Sequence, residues 1–296
     1  MDKTRLSYIY AGLAVLFWST VPTAFKLCLR ELDILPMVTI ASLASTLILL
    51  VVLIAGRKMG ELRQLTGKEL LSSAFLGLIN PFIYYIVLLR AYQVLPAQVA
   101  QPLNMIWPII LVFLSVPLLG QKIRIRSHFA LLISFGGVYV ISSQGHPFSN
   151  YHSDAIGILF ALGSSVFWAI YFIKNVRDKR EDTMKLFLNF VFGTIYLFTA
   201  MTVTNGWHIS GSLIKGSAAA IYIGFFEMGI TFLFWLKALQ NAPSTDKVSN
   251  LVYIAPFLSL IFVHFILHEP VYYTTPVGIV LIISGILIQN SRAVRS

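Results

Sequence analysis

One acidic residue, Glu227, lies where its chemistry differs from that of an ordinary surface carboxylate. The chain of 296 residues has 12 Asp and Glu residues, and the others lie in polar segments or at the ends of apolar ones. Glu227 instead lies inside an apolar stretch between Lys215 and Lys237. The stretch between these lysines would span about 33 Å as an α-helix, with Glu227 close to its middle.

An ionisable side chain at the middle of a membrane costs at least about 2.5–3.5 kcal/mol, so it normally faces the protein interior, a partner or water. A carboxyl group in that position can bind an ammonium ion or carry a proton. We therefore predict that Glu227 is both a substrate-binding and a proton-coupling residue. The alternative is a structural acid that is hydrogen-bonded to a neighbouring helix.

Amide and aromatic side chains in other apolar stretches could complete a site around this acid. Asn80 and Asn104 are predicted to supply hydrogen bonds. The alternative for Asn80 is that it simply bridges helices, and the alternative for Asn104 is that it belongs to a kink that only shapes packing. Aromatic faces beside a carboxylate suit an amine through cation–π attraction, whereas most aromatic residues of membrane proteins pack or lie at the interface. The aromatic residues predicted to line the site are Trp18, Tyr84, Trp168 and Tyr253.

Other kinds of chemistry lack their sequence patterns. The chain has one cysteine, Cys28, and no metal-ligand spacing, phosphate-binding loop or hydrolase motif. We expect no catalytic residues, no metal and no cofactor. Two alternatives to transport stay open: an intramembrane enzyme acting on lipid or quinone, and a scaffold without transport activity.

The elements that must position these residues are membrane-spanning helices. The chain is 57 % apolar and 11 % charged, against about 25 % charged in ordinary soluble domains. About 20 apolar residues cross a bilayer as a helix. The sequence therefore predicts an all-α integral membrane protein with ten transmembrane helices, at residues 6–25, 35–55, 70–89, 97–119, 129–143, 156–173, 186–203, 213–236, 248–267 and 271–288.

The net charge of +10 follows from brief basic clusters between the apolar runs, so we expect no nucleic-acid partner. If the chain starts in the cytoplasm, four of the 22 basic residues fall on the opposite side: Lys26, Arg30, Arg90 and Lys215. The positive-inside rule then predicts that both termini are cytoplasmic.

The two halves of the chain resemble each other, which predicts two five-helix repeats at residues 1–150 and 151–296. Residues 88–96 match residues 235–243 at an offset of 147, which also places Asn80 on Glu227. Further matches are Pro108, Gln121 and Gly137 with Pro256, Glu269 and Gly285 at an offset of 148, and Trp18 with Trp168 at 150. An odd number of spans per repeat makes the second copy enter the membrane from the opposite side. Inverted repeats are common in secondary transporters, whose substrate sites lie near the midplane between the halves.

These residues carry a family resemblance. An early Phe-Trp, a proline in the fourth span of each half, an acidic position thirteen residues later and a glycine-punctuated last span resemble the EamA type of the drug/metabolite transporter superfamily. The second half has Pro256, Glu269, Gly278 and Gly285, and Gln121 stands at the acidic position of the first half. The resemblance implies a ten-helix exporter or metabolite carrier of the bacterial inner membrane.

The functional prediction combines these observations. We expect a secondary active transporter that exports small amino acids, amines or cationic amphipathic metabolites by alternating access, in exchange for protons. An uncoupled facilitator is the alternative within transport. Phosphorylated substrates are disfavoured because no Lys or Arg lies deep in a span. The expected partners are the lipid bilayer and a small-molecule substrate, with the protein as a monomer or homodimer.

Overall fold

The computed structural model describes residues 3–119, 125–146, 154–204, 211–241 and 250–290. Within these ranges all regular secondary structure is helical. Six helical segments are long and apolar enough to cross a membrane, and three shorter apolar helices accompany them. The six are Lys3–Leu29, Ile34–Ala55, Gly67–Val94, Ala155–Asn175, Asp182–Val203 and Leu213–Trp235. The described part of the chain is therefore all-helical, and its apolar helices are those of a multi-pass membrane protein.

The helices follow the predicted apolar runs, although some runs contain two helices. In chain order they are α1 (Lys3–Leu29), α2 (Ile34–Ala55), α3 (Gly67–Gly77), α4 (Tyr84–Val94), α5 (Ala97–Asn104), α6 (Trp107–Leu119), α7 (Ile125–Ser142), α8 (Ala155–Arg177), α9 (Asp182–Val203), α10 (Leu213–Phe226), α11 (Ile230–Asn241), α12 (Ala255–Leu267) and α13 (Thr274–Asn290). Gln121 and the start of the ninth predicted run lie outside the described residues.

Polar residues fix where several helices begin. Before α3, the Thr66 hydroxyl accepts a hydrogen bond from the Glu69 N–H (3.3 Å) while the Glu69 carboxylate accepts one from the Thr66 N–H (2.8 Å). Asp154 caps α8 through the Gly157 N–H (3.0 Å), and Glu181 caps α9 through the Met184 N–H (2.8 Å). These side chains satisfy N–H groups that have no partner in the first helical turn.

Three predicted spans are interrupted. A wider helical turn, Leu78–Ile83, separates α3 from α4, and Asn80 has non-helical backbone angles there (φ −140°, ψ 119°) beside Pro81. The fourth run breaks between α5 and α6. Prolines account for these two breaks because they lack an N–H donor. The eighth run forms the apolar segment Leu213–Trp235, but it is not one regular helix, since Glu227 lies in the interruption between α10 and α11.

Glycines allow α7 and α13 to touch through their backbones. A Cβ atom on Gly137 would lie 2.7 Å from the carbonyl oxygen of Gly278, and one on Gly285 would lie 2.7 Å from that of Ala130. Real Cβ atoms do not approach so closely. Small residues permit such close packing in membranes, where van der Waals contact drives helix association.

Glycines of α3 and α10 play the same role against α9 and α2. A Cβ atom on Gly77 would collide with the carbonyl oxygen of Asn189, and one on Gly224 would collide with that of Ala41. Gly77 and Gly224 are 147 residues apart, the offset of the sequence repeat. Helices of the first half of the chain therefore pack directly on helices of the second half.

Charged residues tie the helices together at one end of the bundle, which we call the Lys58 end. Lys58 Nζ lies 2.7 Å from Glu181 Oε1, and Arg180 binds both Asp178 and the Ser73 hydroxyl (2.9 Å). Burial acts to raise the pKa of Asp178, but hydrogen bonds and the positive charge of Arg180 outweigh it and hold that pKa below its usual value. The connection between α8 and α9 is thereby fastened to α2 and α3.

A second set of contacts lies at the opposite end, which we call the Arg90 end. The Ala97 N–H at the start of α5 donates to Glu269 Oε2 (3.0 Å), and Gln98 accepts from the Tyr272 N–H (3.2 Å) and the Thr275 hydroxyl (3.0 Å). Burial raises the pKa of Glu269, although the nearby charge of Lys26 opposes the shift. These bonds fasten α5 to the connection between α12 and α13.

The glycine seam between α7 and α13 yields a matched test. Gly137→Ala should destabilise the protein by about 1–3 kcal/mol, because the new methyl group forces two backbones apart. Gly136→Ala should not, since a Cβ atom there meets nothing within 4 Å. Thermal unfolding in detergent compares the two variants, and equal melting temperatures would contradict the proposed close contact.

The Lys58–Glu181 pair predicts a pH dependence of stability. Burial acts to raise the pKa of Glu181, but hydrogen bonds from Lys58 and from backbone N–H groups lower it overall. Its stabilising contribution is therefore complete above the unfolded-state value of about 4.3 and is lost as the pH falls through the lower folded-state pKa. Glu181→Gln should melt at a lower temperature than the parent at neutral pH.

The difference in melting temperature between Glu181→Gln and the parent should shrink as the pH falls below about 4. Differential scanning fluorimetry over a pH series measures this difference. Glu61→Gln, at an exposed acid of the neighbouring segment, is the control that should follow the parent throughout. A melting-temperature difference that stays constant with pH would refute the stabilising role of the ionised Glu181 side chain.

Candidate functional site

Glu227 follows the last residue of α10, and its side chain is directed towards the first half of the chain. The Tyr85 hydroxyl donates a hydrogen bond to Glu227 Oε1 (3.1 Å). Tyr85 lies on α4 and is fully buried, whereas Glu227 is half-buried. The carboxylate therefore lies at a contact between helices that are far apart in sequence.

The positions of Glu227 and Asn80 within their spans are equivalent. Each lies at the interruption of a span, Asn80 between α3 and α4 and Glu227 between α10 and α11. The two residues are related by the repeat offset of 147. Interrupted helices with polar groups near the membrane centre commonly form substrate and ion sites in transporters.

Asn104 joins three helices. The Tyr84 hydroxyl on α4 donates to Asn104 Oδ1 (3.3 Å), and Asn104 Nδ2 donates to the Ser164 hydroxyl on α8 (2.8 Å). Ser164 in turn donates to the Ala161 carbonyl oxygen (2.6 Å). In this conformation Asn104 links α4 to α8 through its hydrogen bonds. Its predicted part in substrate binding stays a prediction.

Aromatic rings form a continuous group beside these residues. The Trp168 ring centroid lies 5.0 Å from that of Tyr84 and 5.7 Å from that of Phe232. Phe232 also lies 5.9 Å from Trp18, and Tyr84 lies 4.7 Å from Tyr85. These five residues, Trp18, Tyr84, Tyr85, Trp168 and Phe232, are called the aromatic cluster below. It unites three of the predicted aromatic residues with the tyrosine that binds Glu227.

Two predicted site residues have other surroundings. Asn80 is 1 % exposed and lies beside Tyr171, whose hydroxyl also accepts a hydrogen bond from Asn189 (3.3 Å). Tyr253 lines a small apolar cavity of about 10 Å³ with Pro102 and Pro256. Among the hydrogen bonds and ring contacts of the described residues, none joins Asn80 or Tyr253 to Glu227, so their part in one common site stays a prediction.

Sequence reasoning missed two residues of the aromatic cluster: Tyr85, which donates to Glu227, and Phe232, which packs on Trp18 and Trp168. A signal for both was present, because the offset of 147 aligns Tyr85 with Phe232 just as it aligns Asn80 with Glu227. Each aromatic residue follows its polar partner by five positions. Extending the repeat comparison along the third and eighth spans would have found the pair.

The arrangement suits recognition of a cation more than bond-breaking chemistry. A carboxylate beside aromatic faces can bind an ammonium group or hold a proton. In the described part of the chain, no group of three or more His, Cys, Asp or Glu residues could hold a metal ion.

Comparison with known proteins gives the family. The model of the EamA-like transporter family matches residues 5–143 and again residues 155–291. The chain belongs to the EamA-like transporter family. The membrane-transporter part of the functional prediction is thus supported, and homology to transporters argues against an enzyme.

Relatives cover nearly the whole chain. The uncharacterized transporter YvbV of Bacillus subtilis is 24 % identical over 99 % of this chain and 94 % of its own length. An uncharacterized transporter of Archaeoglobus fulgidus is 24 % identical over 95 % of this chain and 97 % of its own. A crystal structure with 17 % identity superposes with a TM-score of 0.66 over 97 % of both chains, which supports the fold.

The hydrogen bond between Tyr85 and Glu227 can be tested by a double-mutant cycle. Tyr85→Phe keeps the ring but removes the donor, so it should destabilise the protein by about 1–3 kcal/mol. In a Glu227→Ala background the same change should cost much less, because the acceptor is gone. Chemical or thermal unfolding in detergent measures each corner of the cycle.

Tyr92→Phe is the control for this cycle. Tyr92 is a buried tyrosine of the same helix, whose ring packs on Phe25 at 5.2 Å. The cost of Tyr92→Phe should be the same in the parent and in the Glu227→Ala background. Additive effects of the Tyr85 and Glu227 substitutions would argue against their direct contact.

Proposed function

We propose that this protein is a secondary active transporter that exports small amino acids, amines or cationic amphipathic metabolites by alternating access, in exchange for protons. The observation that carries the proposal is the half-buried Glu227 at a helix interruption, hydrogen-bonded to Tyr85 from the other half of the chain. Membership of a transporter family supports the general activity.

The proposed architecture has ten transmembrane helices in two inverted five-helix repeats, residues 1–150 and 151–296. The family model matches once in each repeat, which supports the duplication. The seam of α7 and α13 supports a two-fold relation between the repeats. An offset of 148 exchanges the Gly137–Gly278 contact with the Gly285–Ala130 contact, as a two-fold axis requires.

Alternating access requires each end of the bundle to open while the other stays closed. Both ends carry polar ties between the halves: Lys58 with Glu181 at one end, and Ala97 with Glu269 at the other. These ties involve few groups, so they can break and re-form at modest cost. In the proposed cycle, each tie opens in turn on one face of the membrane.

Proton coupling follows from competition at one carboxylate. Glu227 binds either a proton or the ammonium group of the substrate, and the aromatic cluster surrounds the apolar part of the substrate. Tyr85 donates to the ionised carboxylate and so holds it in position between the halves. Occupation by the substrate releases the proton, which makes the two flows opposite and obligatory.

The proposed location is the bacterial inner (plasma) membrane, with both termini in the cytoplasm. The relatives come from a bacterium and an archaeon. The distribution of the 22 basic residues along the chain supports the orientation through the positive-inside rule.

Exchange can be measured in proteoliposomes loaded with a pH-sensitive dye. Benzyltrimethylammonium is a suitable probe because it has no proton to lose and cannot cross lipid as a neutral amine. Its addition outside should raise the internal pH of wild-type vesicles, because each cation that enters is exchanged for a proton that leaves. Glu227→Gln should reduce the rate of this pH change at least about tenfold, since the amide carries neither a charge nor an acidic proton.

Glu61→Gln, at an exposed acid outside the proposed site, is the matched control and should transport normally. Equal proton movement by Glu227→Gln and wild type would remove Glu227 from the mechanism. Uptake of the probe without any change of internal pH would identify an uncoupled facilitator instead.

A further inference from the structure

We propose that a cavity at the Arg90 end is a binding station for zwitterionic α-amino acids, with the substrate carboxylate on Arg90 and its ammonium group on Asp33. This inference rests on the proposed transport function and selects amino acids from its substrate range. The cavity has a volume of about 270 Å³ and is lined by Asp33, Ile34, Leu35, Arg90 and Gln93.

Two exposed side chains of opposite charge, Asp33 and Arg90, line this cavity without forming an ion pair with each other. Asp33 directly precedes α2, yet its carboxylate makes no hydrogen bond to the first turn of that helix. Arg90 donates one hydrogen bond to Gln93 Oε1 (3.0 Å). The ion pairs found within the described ranges do not include one between Asp33 and Arg90, so the two charged groups are more than 4.0 Å apart.

A ligand that carries both charges on one carbon atom can bridge this gap. The planar guanidinium group of Arg90 matches a carboxylate with parallel N–H donors, and Asp33 accepts from the ammonium group. A simple amine would satisfy Asp33 but would face the uncompensated charge of Arg90. A simple acid would have the reverse problem, so the pair selects zwitterions over both.

The other lining residues indicate which amino acid side chains fit. Ile34 is 5 % exposed and Leu35 is half-buried, so they give the cavity an apolar wall. An uncharged side chain can pack on this wall, whereas an additional charge would lose solvation there. The favoured ligands are therefore small neutral amino acids.

The other charged groups at this end are directed elsewhere or lie outside the lining. Glu31 accepts a hydrogen bond from the Ser212 N–H (2.5 Å), and the charge of Lys26 acts on Glu269. Arg30, which is exposed like Asp33 and Arg90, does not line the cavity. Asp33 and Arg90 are thus the charged residues that meet the ligand.

The station and the proposed central site share helix α4. Arg90 is on α4, five residues beyond Tyr85, which corresponds to about 7.5 Å along the helix axis. The central site offers a carboxylate for the ammonium group, and Arg90 offers the cation that the substrate carboxylate needs. An exported amino acid would reach the station after leaving Glu227.

Three matched probes test the selection: L-leucine, isoamylamine and isocaproate. They share one branched side chain and carry both charges, the ammonium group alone or the carboxylate alone. Isothermal titration of the full-length Glu227→Gln variant in detergent, which lacks the central carboxylate for ammonium groups, should give leucine binding at least about tenfold tighter than either analogue. Equal binding of leucine and isoamylamine would overturn the proposal.

Variants locate the binding. Asp33→Asn and Arg90→Gln should each weaken leucine binding at least about fivefold, whereas Arg30→Gln, a matched loss of charge at the same end, should leave it unchanged. Exchanging the two residues, Asp33→Arg with Arg90→Asp, should restore part of the affinity. Equal effects of Arg90→Gln and Arg30→Gln would indicate general electrostatic attraction and refute the site.

Two further measurements distinguish this proposal from proton exchange at Glu227 and from lipid binding at Arg90. Glu227→Gln should lose proton exchange but keep the leucine binding that depends on Asp33 and Arg90. The binding proposal and the proposed exchange mechanism are therefore refuted by different results. Glycerol phosphate, a probe for lipid headgroups, should not compete with leucine. Competition that persists in Asp33→Asn would assign Arg90 to lipid binding and overturn the proposal.

Discussion

The structure depends on satisfying polar groups at points where membrane helices are interrupted. Hydrocarbon offers no hydrogen bonds, so non-helical backbone at this depth must be enclosed by protein or lie next to water. The interruptions at Asn80 and Glu227 meet this condition because both lie where the halves of the chain pack together. Gly77 and Gly224, three residues before each interruption, bring the neighbouring backbones within contact distance.

The same constraint gives Glu227 its position. A carboxylate on a regular, lipid-facing helix would be expelled to the interface or neutralised. Here the break directs it towards Tyr85, and the Tyr84–Asn104–Ser164 hydrogen bonds fix the helix that carries Tyr85. The site is therefore positioned by a chain of contacts through α4, α5 and α8, and a change in any of these helices would move the partner of the acid.

Composition and apolar runs were enough to predict an all-helical membrane protein, because the length and polarity of a span follow directly from the bilayer. The distance of Glu227 from the flanking lysines was enough to single it out. The interruption between α10 and α11 could not be predicted, because the run of apolar residues continues on both sides of this acid. Tyr85 and Phe232 were overlooked for a related reason: aromatic residues are common in such spans, and only their contacts distinguish them. The Asp33–Arg90 cavity lies between the start of α2 and the end of α4, a contact between distant segments that no local pattern records.

The backbone contact between α7 and α13 has a consequence for how this protein can change over time. At Gly137, Gly278 and Gly285, backbone and side-chain atoms of the opposite helix already occupy the space that a Cβ atom would need. Neither helix can therefore accommodate a larger residue at these positions without moving. Substitution by a larger residue is therefore disfavoured on both helices of the seam. A larger residue at one of these glycines would be tolerated only if α7 and α13 moved apart. We therefore expect the distance between these two helices to be the same in related proteins whose loops differ.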